Sequence, residues 1–240
     1  MPFLTHSRFG THPVVVHAQG PDAAHPLWPE ICERFFARPR RHIGPVADLT
    51  ILTWNNGSPG MGVLERSLDH LGIPCRVTGQ GIADWVNSRD KPRLTCEALE
   101  SITTPYVLGV DSGDAILVDD PSHLIALFES RFGCDLVFGA DKINFPTLKV
   151  FKDFEDSLPG AAESEFRYLN GGVWLGRTAF CRELFAEVCR TPPVASRPAA
   201  EQGILKQLFP RYHPRVRLDY TCAMVQNLGF VFQPVYTLEE

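Results

Sequence analysis

Apolar residues along the chain fall into short β-branched runs, separated by longer stretches in which they recur at helical spacing. The runs cover residues 13–17 (PVVVH), 48–54 (DLTILTW), 74–78 (PCRVT), 105–111 (PYVLGVD), 135–139 (DLVFG), 168–175 (YLNGGVWL) and 229–233 (GFVFQ). Each has the length and composition of a strand. Helical spacing predicts helices over 27–38, 60–72, 94–102, 121–133, 178–190 and 201–209. Asp120 and Pro121 supply an N-cap and a first helical residue, Gly72 and Gly133 supply stops, and Pro92 precedes the 94–102 helix. Strands alternating with helices predict an α/β chain with a mostly parallel sheet covered on both faces.

In such sheets ligands bind beyond the carboxyl ends of the strands. The residues placed there are His17, Thr53 to Asn55, Asp111 to Asp114, Lys142 to Asn144, and Gly171 with Gly172. The chain has 240 residues, 44% of them hydrophobic, which suits one domain with a substantial core. Its net charge of −5 speaks against a nucleic-acid partner, and the one basic cluster, RPRRH at 38–42, reads as part of a solvated connector, ARPRRHIGPVA. Seven scattered cysteines without a metal spacing are expected to be reduced thiols, mostly small core residues. No secretory leader and no apolar run of spanning length is evident, so a cytoplasmic location without a transmembrane segment is expected; peripheral membrane association stays open.

The stretch YVLGVDSGDAIL (106–117) carries the clearest chemistry. A buried strand ends in Asp111, Ser112 and Gly113 turn the chain, and Asp114 follows. Two carboxylates across a tight turn can converge on one hard divalent cation and leave most of its shell to substrate phosphates. No Walker loop or Gly-x-Gly-x-x-Gly is present to cradle phosphates instead. Asp119 and Asp120 read as a helix cap. Asn170-Gly171-Gly172 lies inside an apolar strand, where glycine marks either a bulge or the close approach of a ligand. Glu201-Gln202 opens a helix; the carboxylate suits a helix N-terminus, or faces a reacting group.

The segments KPRL, VDSGDAIL, RYLNGGVWLG, EQGILKQLF and LDYTCAMVQNLG, taken together, resemble the glycosyltransferase domain of the procollagen lysyl hydroxylase family, which has a GT-A (Rossmann-like) fold. The resemblance covers most of residues 48–233. In that family a late strand, Pro-Ile-Val-Val-His-Gly-Asn-Gly-Pro, supplies a histidine ligand. Here the matching pattern, HPVVVHAQGP, stands at 12–21 and a helical stretch follows it. The resemblance therefore implies a circular permutation within one domain. Residues 1–38 would equal the family's last strand and helix, 39–47 a connector, and 48–240 the main part.

It further implies a metal-dependent hexosyltransferase that uses a UDP-sugar, glucose or galactose, with a glycan, lipid-linked or protein acceptor. His17, Asp111 and Asp114 would hold Mn²⁺ or Mg²⁺. Thr53, Trp54, Lys91, Ser112, Gly113, Gly20, Gly171 and Gly172 would border the UDP-sugar, with Trp54 against the uracil and Lys91 near the phosphates. Glu201, Asn170 and Gln202 would line the reacting side. The sequence departs from the family at Asp22 to Ala24, Gly113, Ala200 and Tyr220. Rival readings are a nucleotidyltransferase or nucleotide-sugar hydrolase on a similar sheet, and a non-catalytic nucleotide-sugar-binding module.

Overall fold

A computed structural model describes residues 2–58 and 60–239. In chain order its elements are β1 (Leu4–His6), β2 (Val15–His17), α1 (Trp28–Ala37), β3 (Leu49–Trp54), α2 (Val63–Leu71), β4 (Arg76–Thr78), α3 (Asn87–Ser101), β5 (Tyr106–Val110), β6 (Ala115–Leu117), α4 (Leu124–Leu127), β7 (Leu136–Asp141), α5 (Lys149–Asp156), β8 (Tyr168–Arg177), α6 (Thr178–Val188), α7 (Glu201–Tyr212), β9 (Val216–Asp219), β10 (Val225–Asn227) and β11 (Tyr236–Leu238). The main sheet has the order β4-β3-β5-β8-β7-β9. Five of its strands run parallel; β8 alone is antiparallel, between β5 and β7. The fold is thus a mixed α/β domain with a mostly parallel central sheet.

Alternation along the strands sorts side chains onto two cores. Ile51, Leu108, Val137 and Leu175 pack with α1, α2 and the small sheet β10-β2-β6, whereas Leu52, Val107, Leu136 and Trp174 pack with α3, α6 and α7. Both faces are covered, so the central strands read as continuous apolar runs. The connector carries no helix or strand. Its Arg41, Ile43 and Gly44 amides donate to the carbonyls of His70, Leu71 and Gly72, which α2 leaves free at its end.

Several boundaries differ from the sequence reading. Residues 229–233 form no strand: Phe230 takes a left-handed φ of 58°, the Val231 amide turns back to Leu228, and pairing occurs earlier, in β10. Helix α3 begins at Asn87, before Pro92, because the Asp90 carboxylate accepts the Val86 amide hydrogen (2.8 Å) and closes an earlier first turn. The 121–133 stretch splits into a 3-10 turn, the four-residue α4 and a π-turn, although Asp120 does cap it by accepting from the Ser122 amide. Strands β1, β6, β9, β10 and β11 and helix α5 lack the long periodic signal that marks the others. Of the seven cysteines, all free, only Cys181 and Cys222 are fully buried.

Two buried charges on the site's side of the fold matter later. Lys206 of α7 and Glu155 of α5 meet at 2.8 Å, and the ammonium also donates to Asn144 Oδ1 at 2.7 Å. The other Glu155 oxygen accepts the Leu169 amide hydrogen of β8. One ion pair therefore fixes α5, α7, β8 and the 142–148 loop to each other. No helix among the described residues is long and apolar enough to cross a membrane.

Candidate metal and ligand site

The site forms where three strand ends meet. β2 lies between β10 and β6, with His17 opposite Asn227 on one side and Ala115 on the other. β6 follows directly on the acidic turn, so its pairing with β2 carries His17 to Asp114; the Ala18 amide donates to the Asp114 carbonyl (2.7 Å). Asp111 enters from the end of β5 and is held by its amide hydrogen bond to the Gly172 carbonyl (2.8 Å). His17 Nε2 lies 3.4 Å from an Asp114 oxygen and 3.9 Å from an Asp111 oxygen, and one ligand atom from each residue falls within 4.8 Å of the others.

The protonation pattern of His17 follows from its neighbours. The Asn227 amide nitrogen donates to the Ala140 carbonyl (2.7 Å), so its oxygen faces His17 Nδ1 (2.8 Å) and accepts from it. This leaves Nε2 to the aspartates. Nε2 is buried and faces the two aspartates, the position from which a deprotonated imidazole would ligate a cation. Burial opposes charging this imidazole, but the Asp114 and Asp111 carboxylates overcome it and raise its pKa to about 9. Asp114 in turn is held low: burial works against its charge, and His17 and Lys91 outweigh it. An imidazole nitrogen and two carboxylates converge as a divalent ion would require, and Gly172 bounds the space between them. A Cβ on Gly172 would stand 2.3 Å from His17 Cε1 and 2.8 Å from an Asp111 oxygen.

Of the two sequence readings of Gly171-Gly172, the bulge is observed. The β7–β8 register slips between Phe138 and Gly139, from Trp174 to Asn170, so residues 171–173 bulge out of that ladder. The bulge is what brings Gly172 under the imidazole. The Asn170 side chain braces it by accepting the Gly172 amide hydrogen (2.8 Å), and Gln202 accepts that of Gly171 (2.9 Å).

Lys91, on α3, is buried beside the acidic turn. Its ammonium contacts an Asp111 oxygen (2.8 Å), a Glu201 oxygen (3.2 Å) and the Gly171 carbonyl (3.2 Å), and lies 4.7 Å from the Trp54 ring centre. Burial disfavours the charge, but Asp111 and Glu201 keep this amine charged far above its ordinary range. Glu201, first residue of α7, is 5% exposed, and its second oxygen has no partner. Burial pushes its pKa up, Lys91 pulls it down, and Asp111 adds to the rise.

Two cavities flank this centre and share Asn87, Lys91, Asp111 and Asp114 as a common wall. The first, about 450 Å³, is lined by His17, Gly20, Asn170, Gly171, Gly172, Glu201 and Gln202 among others. The second, about 590 Å³, is lined by Trp54, Asn55, Asn56, Ser112, Gly113, and Ser58 with Gly60 to Val63. Thr53 reaches neither: it is fully buried, and its hydroxyl donates to the Val110 carbonyl (2.7 Å), tying β3 to β5. The Trp54 ring is largely buried, with its indole N–H on Thr95 (3.0 Å), so it offers an edge of the second cavity more than an open face. The Ser112 hydroxyl is taken by Glu65 (2.7 Å). Sequence reasoning missed Asn227, Gln19 and Asp141. Asp141 stands one residue before the inspected 142–144 segment, still inside β7. Of 142–144, Ile143 lines the first cavity, while Asn144 is spent on Lys206.

No protein-family model and no curated protein matches the chain. Among solved structures, glucosyl-3-phosphoglycerate synthase from Mycobacterium tuberculosis in complex with UDP is similar over 90% of this chain and 78% of its own, at 14% identity and a TM-score of 0.41. The same enzyme with Mn²⁺, UDP-glucose and phosphoglyceric acid is similar over 95% and 80%, at 13% identity and 0.37. CMP:2-keto-3-deoxy-manno-octonic acid synthetase with CTP is similar over 75% and 90%, at 9% identity and 0.37.

Proposed function

We propose that this chain is a metal-dependent glycosyltransferase that moves a hexose, glucose or galactose, from a UDP-sugar to an acceptor hydroxyl. The observation that carries the reading is the placement of Asp111 and Asp114 on the wall between two cavities, with His17 converging on them from the first. A nucleotide-sugar is two unlike halves joined by a diphosphate, and it suits two chambers joined at a cation site. A bound Mn²⁺ or Mg²⁺ would neutralise the departing diphosphate. Lys91 holds a fixed positive charge at the same junction. Trp54, Gly113, Ser58 and Gly60 to Val63 border the nucleoside side; Gly20, Gly171 and Gly172 border the sugar. Asn170 and Gln202 brace the bulge beneath it. Glu201 presents its unpartnered oxygen to the sugar side, to take a proton from the acceptor or to stabilise positive charge at the anomeric carbon.

The test is a thermal melt with Mn²⁺ and UDP, followed by turnover. UDP should raise the melting temperature only with Mn²⁺ present, by about 2.7 kcal/mol of linkage at a hundredfold excess over Kd. UDP release from UDP-glucose or UDP-galactose should be slow alone and faster with an acceptor. Pyrophosphate release from a nucleoside triphosphate would favour the nucleotidyltransferase instead, and a melt indifferent to UDP and Mn²⁺ would sink both.

The family resemblance and the permutation belong to this proposal. Their support is that β1 pairs antiparallel with β11 in register, Leu4 with Leu238, so the two ends lie side by side, and that β2 runs parallel beside β10, as a strand following it would. Chains tolerate permutation when their ends are close and superficial. A gene rearranged to begin at residue 48 and to finish with residues 2–38 joined after 239 should give a protein with the parent's circular dichroism and Mn²⁺-dependent UDP binding. An insoluble product would count against the permutation.

A further inference from the structure

The first cavity has features the donor does not use. Its rim carries two exposed phenylalanines, Phe145 from the 142–148 loop (43% exposed) and Phe230 from the turn after β10 (51%). Phe230 packs edge-to-face on Phe232, with ring centres 5.8 Å apart, and Phe232 is itself exposed. Phe230 keeps a positive φ of 58°, a conformation that bulky residues rarely adopt. Its amide bond to the Ala24 carbonyl (2.7 Å) holds it there. Folding alone gives no reason to spend two phenylalanines on water at the lip of a polar cavity.

The interior is polar and acidic. Asp111, Asp114, Asp141 and Glu201 line it, and no arginine does. Its single lysine, Lys91, has three donor positions and three acceptors already in place: Asp111, Glu201 and the Gly171 carbonyl. An anionic acceptor would find no side-chain cation free among the described lining residues, because the donor positions of Lys91 are taken. Two buried acceptor atoms, Glu201 Oε1 and Gln19 Oε1, have no partner. They call for a neutral donor such as a hydroxyl.

We infer that the acceptor is a neutral pyranoside, seated with its C–H face on Phe230 and Phe145 and a hydroxyl directed to Glu201 and Gln19. The C–H bonds of a pyranose face carry partial positive charge and match the negative face of an aromatic ring. The hydroxyls at its edge suit the unpartnered oxygens. The inference rests on the glycosyltransferase reading: the acceptor oxygen bonds to the anomeric carbon and the bond from that carbon to the β-phosphate oxygen breaks. UDP leaves with the electron pair, and the hydroxyl proton passes to Glu201 or water.

Ligand-observed NMR in Mg²⁺ buffer tests it, with methyl glucosides and galactosides against 3-phosphoglycerate, each with and without UDP. The glycosides should bind and 3-phosphoglycerate should not. A Phe145→Ala/Phe230→Ala double variant should weaken glycoside binding more than tenfold, and Phe230→Trp should retain it. Preference for 3-phosphoglycerate, or glycoside binding indifferent to the alanine changes, overturns the inference. The two failures are distinguishable. A protein that binds UDP but no glycoside refutes this inference alone, whereas one that binds glycosides but no UDP refutes the donor reading.

Discussion

Replacing His17 with alanine should weaken Mn²⁺-dependent UDP binding by more than about 100-fold while leaving the fold intact. The imidazole is the one candidate ligand contributed from outside the acidic turn, and without it Asp111 and Asp114 span an open-sided pair. Changing residues that merely orient a ligand commonly costs 10–100-fold in metal affinity, and losing the ligand itself costs more. Asn227→Leu should therefore give an intermediate effect, in the 10–100-fold range, because it removes the acceptor that fixes Nδ1–H and leaves Nε2 to the cation. Isothermal titration of UDP into each variant, with Mn²⁺ and with EDTA, provides the measurement. If the alanine variant binds UDP as tightly as the parent in Mn²⁺, the three residues do not form the site.

Gly172→Ala should cost both stability and UDP binding. The added carbon would lie 2.3 Å from His17 Cε1 and 2.7 Å from Nε2. Relief requires either that the imidazole swing off Asn227 or that β8 withdraw. Withdrawal would break the Asp111 amide bond to the Gly172 carbonyl and the Asn170 brace. Overpacking of this kind costs about 1–3 kcal/mol of stability, and either escape route dismantles the cation site. Gly171→Ala is the informative neighbour. Its Cβ would meet Leu205 Cδ1 at 3.0 Å and nothing in the metal triad, so a small shift of a flexible side chain absorbs it. Denaturant unfolding and UDP titration of the pair should show Gly172→Ala losing both stability and binding, and Gly171→Ala keeping most of each. Equal behaviour would mean that the bulge is not what shapes the site.

Much of the frame could be read from residues because burial on both faces writes itself plainly. Neighbours such as Ile51 and Leu52 are both apolar, since one serves each core, and that pattern survives in any single sequence. The acidic turn was legible for a related reason: a carboxylate that ends an apolar run in a parallel sheet lies at the binding edge. Asn227 was not legible. Its role depends on β10 lying beside β2, a pairing across more than two hundred residues that no local pattern encodes. Asp141 was missed because β7 runs two residues past its apolar signal, and Thr53 was over-read because a strand-end hydroxyl can turn inward to a neighbouring strand as easily as outward to a ligand. Helix α5 went unseen because its amphipathic pattern, Val150, Phe151 and Phe154, is only eight residues long, and among those eight only Phe151 and Glu155 are buried.

The Lys206–Glu155–Asn144 cluster sets a constraint on redesign. The ammonium sits on the helix that begins with Glu201 and Gln202, and its partner Asn144 precedes Phe145 in the loop at the cavity rim. Gln202 adds a second tether by donating to the Phe145 carbonyl (2.7 Å). Grafting a longer or foreign loop there to broaden specificity would therefore disturb the helix start that bears Glu201. Point changes at the phenylalanine rings, which leave the backbone and both tethers in place, are the gentler route to altered preference.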